Sequence, residues 1–125
     1  MFTGYRFYLT LDNFSEIVQQ IDAALSKEKI TLKESTNAQL LLEETFMRLV
    51  NFGKAEGVQV TVAKRFGDLT LRLESEGNEY NPLISATDFD ENDEDYFRTI
   101  ILKSNAEKMN YTRKGNKNVV IIQVH

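Results

Sequence analysis

The chain contains no cysteine, a single proline, and a single histidine at its last position. Without cysteine there can be no disulfide, no thiol catalysis and no thiolate-bound zinc or iron–sulfur cluster. That absence fits a cytoplasmic setting. With His125 as the only imidazole, a Ser-His-Asp triad and a phospho-acceptor histidine are excluded. Long apolar runs are missing as well. Val119-Val120-Ile121-Ile122 is far too short to span a bilayer, so direct membrane insertion is not expected. Met1-Phe2-Thr3-Gly4-Tyr5-Arg6 lacks the basic stretch and apolar core of a signal peptide. No Walker-type or dinucleotide glycine motif occurs. With 15 basic and 19 acidic side chains the net charge is −4, and no global field favours nucleic acid.

What is present suits one soluble domain over residues 1–125, with 42% hydrophobic and 27% charged residues. A chain of this size buries roughly two-thirds of its unfolded surface and needs no covalent or metal staple. Phe2 to Leu11, rich in aromatic and β-branched residues, reads as a strand. Asp12 or Asn13 offers an N-cap, with Glu16 near capping-box spacing, for an amphipathic helix over 13–28. A second helix is expected to start near Ser35 or Thr36 and to end at Gly53 as C-cap. Val58–Phe66 and Leu69–Glu74 alternate as a hairpin around Gly67-Asp68. Ser75 to Asp95 is aperiodic and reads as a long loop. Tyr96 to Lys108 carries a third helical pattern, and Tyr111–Arg113 with Val119–Val124 closes the chain as a second hairpin around Lys114-Gly115-Asn116. The order β-α-α-β-β-α-β-β implies an α+β fold, a two-layer α/β sandwich. Its mixed, mostly antiparallel sheet would be covered on one face by about three helices.

Three segments carry a family resemblance. Leu41-Leu42-Glu43-Glu44 followed by Leu49-Val50-Asn51-Phe52-Gly53 resembles the N-box helix of the GHKL, or Bergerat, ATP-binding fold. Leu73-Glu74-Ser75-Glu76-Gly77-Asn78-Glu79-Tyr80-Asn81-Pro82-Leu83 resembles that family's loop after the hairpin, an acidic-x-Gly motif followed by an aromatic and Pro-Leu. Ala106 to Tyr111 and Gly115 to Val119 resemble the terminal hairpin of the anti-sigma-factor serine kinase branch. The resemblance covers about Asp12 to Val124. It implies ATP and Mg²⁺ as the family's ligands, Glu44 as the catalytic carboxylate, and Arg48, Asn51, Ser75, Glu76, Gly77 and Arg98 at nucleotide-contacting positions.

Several of those positions depart from the family's pattern. The family holds Mg²⁺ with an Asn one helical turn after the carboxylate, and here that residue is Arg48. Arg has no acceptor and cannot ligate a cation. Its repulsion from Mg²⁺ would be about 8 kcal/mol at 4 Å with an effective dielectric of about 20. The alternative is that Arg48 and Glu44 are simply an i,i+4 pair on a solvated helix face. The adenine-reading Asp is replaced by Ser75, and alternation points the neighbouring Glu76 the other way. Gly77 is kept, either for an adenine-loop role or as a turn residue with positive φ. The glycine-rich phosphate loop falls at Tyr96 to Arg98, where Arg98 would have to bind phosphate by charge. No metal ligand set is assigned.

The acidic run from Asp88 to Asp95 lacks the Gly and Glu of a calcium loop and reads as a solvated lid segment. Tyr5, Phe7 and Tyr8 around Arg6 read as core and interface. By resemblance the first strand and first helices are a candidate dimer surface. Two functional expectations follow. One is a regulatory module with weak or lost nucleotide binding, acting on a protein partner, either a regulatory factor or its own parent chain. The other is an active ATP-binding serine kinase. A purely structural domain of a larger protein is a blander third, and the abrupt end at His125 suggests truncation or a tag remnant.

Overall fold

The computed structural model describes residues 4–65, 67–83 and 102–125. Phe2, the Asp88–Asp95 run, Tyr96, Arg98 and most of the expected third helix lie outside the described residues. The elements are β1 (Tyr5–Leu9), α1 (Phe14–Leu25), α2 (Leu32–Asn51), β2 (Val58–Arg65), β3 (Asp68–Glu76), β4 (Ala106–Lys114) and β5 (Lys117–Val124). The five strands form one sheet in the order β1-β2-β3-β5-β4, and each neighbouring pair is antiparallel. The fold is α+β, a two-layer sandwich.

Register explains how one face is buried. Val60 pairs with Leu73 and Val62 with Leu71, while Leu71 and Leu73 pair with Ile122 and Val120. The apolar members of each alternation therefore line up on one face, as a period of two requires. Against them α2 presents Ala38, Leu41, Leu42, Phe46 and Leu49, and α1 presents Ile21 and Leu25, all buried. The rings of Phe14 and Phe46 stack 4.9 Å apart and join the two helices. Burying each large side chain contributes about 1.5–3 kcal/mol, enough to hold α2 in place without help from intrinsic propensity. Arg6, Tyr8 and Gln59 are exposed on the other face.

Several boundaries differ from the sequence expectation, each for a physical reason. Asn13 occupies the N-cap position of α1 but makes no capping bond. Its amide is committed to the preceding turn instead, accepting from Thr10 N at 2.8 Å and donating to Tyr8 O at 3.2 Å. Helix α2 starts at Leu32, four residues before Thr36. Thr31 and Glu34 form a reciprocal capping box there, with Glu34 N donating to Thr31 Oγ1 at 3.1 Å and Thr31 N to Glu34 Oε1 at 3.0 Å. Ser35 lies within the helix and donates from Oγ to Asp22 Oδ1 of α1. At the other end Phe52 is the C-cap and Lys54, not Gly53, takes the left-handed conformation at φ 57°. The Lys54 ammonium donates to Asn51 O at 2.9 Å, a cation set on the last turn's carbonyls. Ala106 to Lys108 belong to β4 rather than to a helix. The ladder to β5 runs from Lys114↔Lys117 back to Ala106↔Val124, with an irregularity between Ala106 and Lys108. Pairing with a neighbouring strand has overridden the local helical pattern there.

Candidate functional site

Glu44 and Arg48 lie one turn apart on α2, and their pairing is not a solvated one. Arg48 is 2% exposed. Its Nε donates to Glu44 Oε1 at 3.1 Å and its Nη1 to the Pro82 carbonyl at 3.1 Å. The guanidinium thus ties α2 to the loop that follows β3. An exposed pair at this spacing contributes little, whereas a buried one offsets its desolvation cost only through added hydrogen bonds, here to Pro82. The surface-pair expectation is corrected on this point. Glu44 keeps partial exposure, its side chain 26% accessible. One carboxylate oxygen is spent on Arg48.

The loop after β3 is anchored by a second polar centre, Asn118, whose role sequence reasoning missed. Asn118 is fully buried. Its Oδ1 accepts from Tyr111 Oη at 2.7 Å, Arg113 Nη1 at 3.1 Å and Tyr80 N at 3.2 Å, and its Nδ2 donates to Asn78 O at 2.8 Å. The available signal was a polar residue at an inward-facing place in the apolar alternation 118, 120, 122, 124. Burial pushes the Tyr111 phenol above its ordinary value of 10.0. The Glu79 carboxylate adds to that, while Arg113 and the Tyr80 backbone oppose it. The rings of Phe52 and Tyr80 meet at 5.5 Å and close the loop over the end of α2.

Ser75 and Glu76 fall on opposite faces of the sheet. Ser75 is 3% exposed and falls in line with Leu69, Leu71 and Leu73 on the helix-covered side. Its Oγ is buried without a hydrogen-bond partner among the described residues, as is Thr45 Oγ1 on α2. Glu76 is exposed on the opposite face, as alternation requires. Gly77 has a positive φ of 155°. Asn51 is exposed at the last residue of α2. Arg98 lies outside the described residues.

A cleft of about 490 Å³ takes Ser75, Glu76 and Gly77 into its wall together with Tyr8, Gly57 and Gln59. Glu44, Arg48 and Asn51 do not line it. The residues expected to share one nucleotide pocket are therefore not gathered around this cavity. No group of three or more Asp, Glu or His that could hold a metal occurs among the described residues. None of the described helices is long and apolar enough to cross a membrane. Sequence comparison finds no matching family model and no matching curated protein.

Proposed function

We propose that the chain is a regulatory module of the GHKL, histidine-kinase-like ATP-binding type, with weak or lost nucleotide binding, acting through protein contacts in the cytoplasm. The observation that carries this reading is the buried Arg48. It stands where the resemblance calls for a Mg²⁺-holding Asn, and it bonds both Glu44 and the Pro82 carbonyl. A guanidinium cannot ligate Mg²⁺, and the carboxylate that would activate a hydroxyl is engaged by it. The residues present do not fit the metal. The partner would be a regulatory factor or the chain's own parent protein, and a homodimer is compatible with this reading.

The test is calorimetric titration with ATP and ADP, with and without Mg²⁺, on samples shown to be folded by circular dichroism. The expected outcome is no heat at millimolar nucleotide. Micromolar binding that disappears in Glu44→Ala or Arg98→Ala would overturn the reading and make a phosphotransfer assay the next step.

One observation favours the second reading, an active ATP-binding serine kinase. The Ser75 hydroxyl is buried without a described partner where the resemblance places the acceptor that reads the adenine amino group. An unmet buried hydroxyl costs about 1–3 kcal/mol, which a bound base would relieve. On this reading nucleotide binding falls about tenfold in Ser75→Ala. On the first there is no binding to lose.

A further inference from the structure

The sheet ends on β1 and β4, and the two edges differ. At β1 the Asn13 amide already holds Tyr8 O and Thr10 N. Strand β4 runs for nine residues with β5 as its one neighbour in the sheet. Beyond that ladder its backbone hydrogen-bonds to nothing among the described residues. Every second residue of such a strand directs its N–H and C=O away from the sheet, as a template for another strand.

Cross-strand partners share a face, so the ladder with β5 fixes where the side chains of β4 point. Met109, Tyr111 and Arg113 pair with Ile122, Val120 and Asn118 on the helix-covered face. Lys108, Asn110, Thr112 and Lys114 pair with Gln123, Ile121, Val119 and Lys117 on the open face, and all four are exposed. No carboxylate pairs on that face of either strand. Glu107, the one carboxylate of the two strands, sits at the irregularity outside the ladder.

The charges nearby do not cancel the lysines. Glu74 lies 3.6 Å from the Lys117 ammonium and 3.7 Å from Arg72 Nη2. Glu76 stands opposite Lys117 in the register. Both carboxylates are on β3, two strands or about 9.6 Å from β4, which exceeds the screening length of about 8 Å in physiological salt. On the other face Glu79 and Arg113 act on Tyr111 in opposite senses. Lys108 and Lys114 have no ion pair or side-chain hydrogen bond among the described residues. With exposed Lys103 just ahead of the strand, the unmatched charge along this edge is positive.

The lysines bar a second copy here. An antiparallel pairing centred on Tyr111 would set Lys108 of each chain opposite Lys114 of the other, and like charges directly opposite destabilise a sheet. Carboxylates at the same places would be attracted. We propose that β4 takes up, as an added strand, an extended segment of a partner protein in which acidic and apolar residues alternate. The acidic residues would lie beside Lys108 and Lys114. The apolar ones would lie beside Met109 and Tyr111, which are half-buried against the core. Backbone pairing supplies affinity and the alternate side chains supply specificity. The proposal rests on the protein-contact reading above, to which it adds a surface and a chemistry.

The probe is an acetylated and amidated Glu-Val-Glu-Val-Glu-Val-Glu peptide, followed by NMR amide shifts and hydrogen exchange. Comparisons are Glu-Glu-Glu-Glu-Val-Val-Val, which keeps the charge but not the alternation, and single-stranded oligothymidylate. Expected are shifts and slowed exchange along Met109 to Lys114 with Arg6 to Tyr8 unmoved. Affinity should fall about tenfold in Lys108→Gln/Lys114→Gln and stay unchanged in Lys27→Gln/Lys33→Gln. All four lysines are exposed, so these variants should fold, and unchanged thermal unfolding checks this. As a second reading, Lys108→Glu/Lys114→Glu should prefer the Lys-for-Glu peptide. The proposal is overturned if the peptide does not bind at millimolar concentration, if the shifts fall outside β4, or if Lys108→Gln/Lys114→Gln binds as tightly as the native chain. Binding of the unalternated peptide or of oligothymidylate at least as tight would overturn it too. Its loss leaves the nucleotide titration untouched, because that experiment reads Glu44 and Arg48 on α2. Micromolar ATP binding, conversely, would remove the regulatory reading without moving the shifts on β4.

Discussion

Gly77 lies so close over Gly53 that a Cβ at residue 77 would come within 2.3 Å of the Gly53 carbonyl oxygen. The same carbonyl accepts the Asn78 amide at 2.8 Å, so the loop after β3 is seated directly on the end of α2. The contact is with backbone, which cannot swing aside, and Gly77 also has a positive φ. Gly77→Ala is expected to destabilise the fold by about 2 kcal/mol or more in denaturant unfolding, by forced displacement of the loop. Gly115→Ala serves as a comparison, because a Cβ there meets nothing within 4 Å although its φ is also positive. A Gly77→Ala loss no larger than that of Gly115→Ala would show that close approach is not what requires the glycine.

Asn118, on β5, should be the most sensitive of the polar residues that hold the loop. Replacing it by Leu leaves the Tyr80 amide, the Asn78 carbonyl and the Tyr111 hydroxyl without the partner they share, at a cost of about 2–4 kcal/mol. Tyr111→Phe removes one of those bonds and should cost about 1 kcal/mol. Denaturant midpoints of the two variants measure the ratio, and equal losses would mean that Asn118 does not act as a hub.

Deleting either member of the Glu44–Arg48 pair should be unequal in effect. Glu44→Ala takes one carboxylate away from a guanidinium that stays buried, whereas Arg48→Met fills the space with an apolar chain and leaves Glu44 access to water. Arg48→Met is therefore expected to be the milder change, by about 1 kcal/mol or more, discounted for the partial exposure of Glu44. Thermal unfolding of both variants decides it. The reverse order would show that the hydrogen bonds of Arg48 stabilise the fold by more than the burial of its charge costs.

The raised phenols of Tyr111 and Tyr5 give an alkaline signature. A raised folded-state value means that the fold favours the protonated phenol, so the stability it contributes is complete below the unfolded value near 10. It is lost as pH climbs through the folded value. Burial raises Tyr111, and the hydrogen bond to Glu28 raises Tyr5. Between pH 9 and 11 the denaturant midpoint should fall, and the fall should be smaller in Tyr111→Phe. An identical pH profile in that variant would remove Tyr111 from the account.

The sequence by itself determined the class of fold and the core-facing positions of β2, β3 and α2. The alternations at Val58-Val60-Val62 and Leu69-Leu71-Leu73, and the helical spacing of Leu41, Leu42 and Leu49, depend only on periods of two and 3.6, which are local properties of the chain. Alternation also separated Ser75 from Glu76 correctly. Element ends were less legible. The first turns of α2 are polar and Leu32 is 84% exposed, so apolar periodicity begins only at Ala38, although Thr31 and Glu34 carried the capping signal. Only the tertiary structure decided the rest. Whether Arg48 is solvated or buried depends on Pro82, 34 residues away. The hub at Asn118 depends on Asn78, 40 residues away, and the strand at Ala106 depends on its ladder with β5. Each of these is set by a partner brought in from elsewhere in the chain, and neither propensity nor spacing carries information about which distant group will arrive.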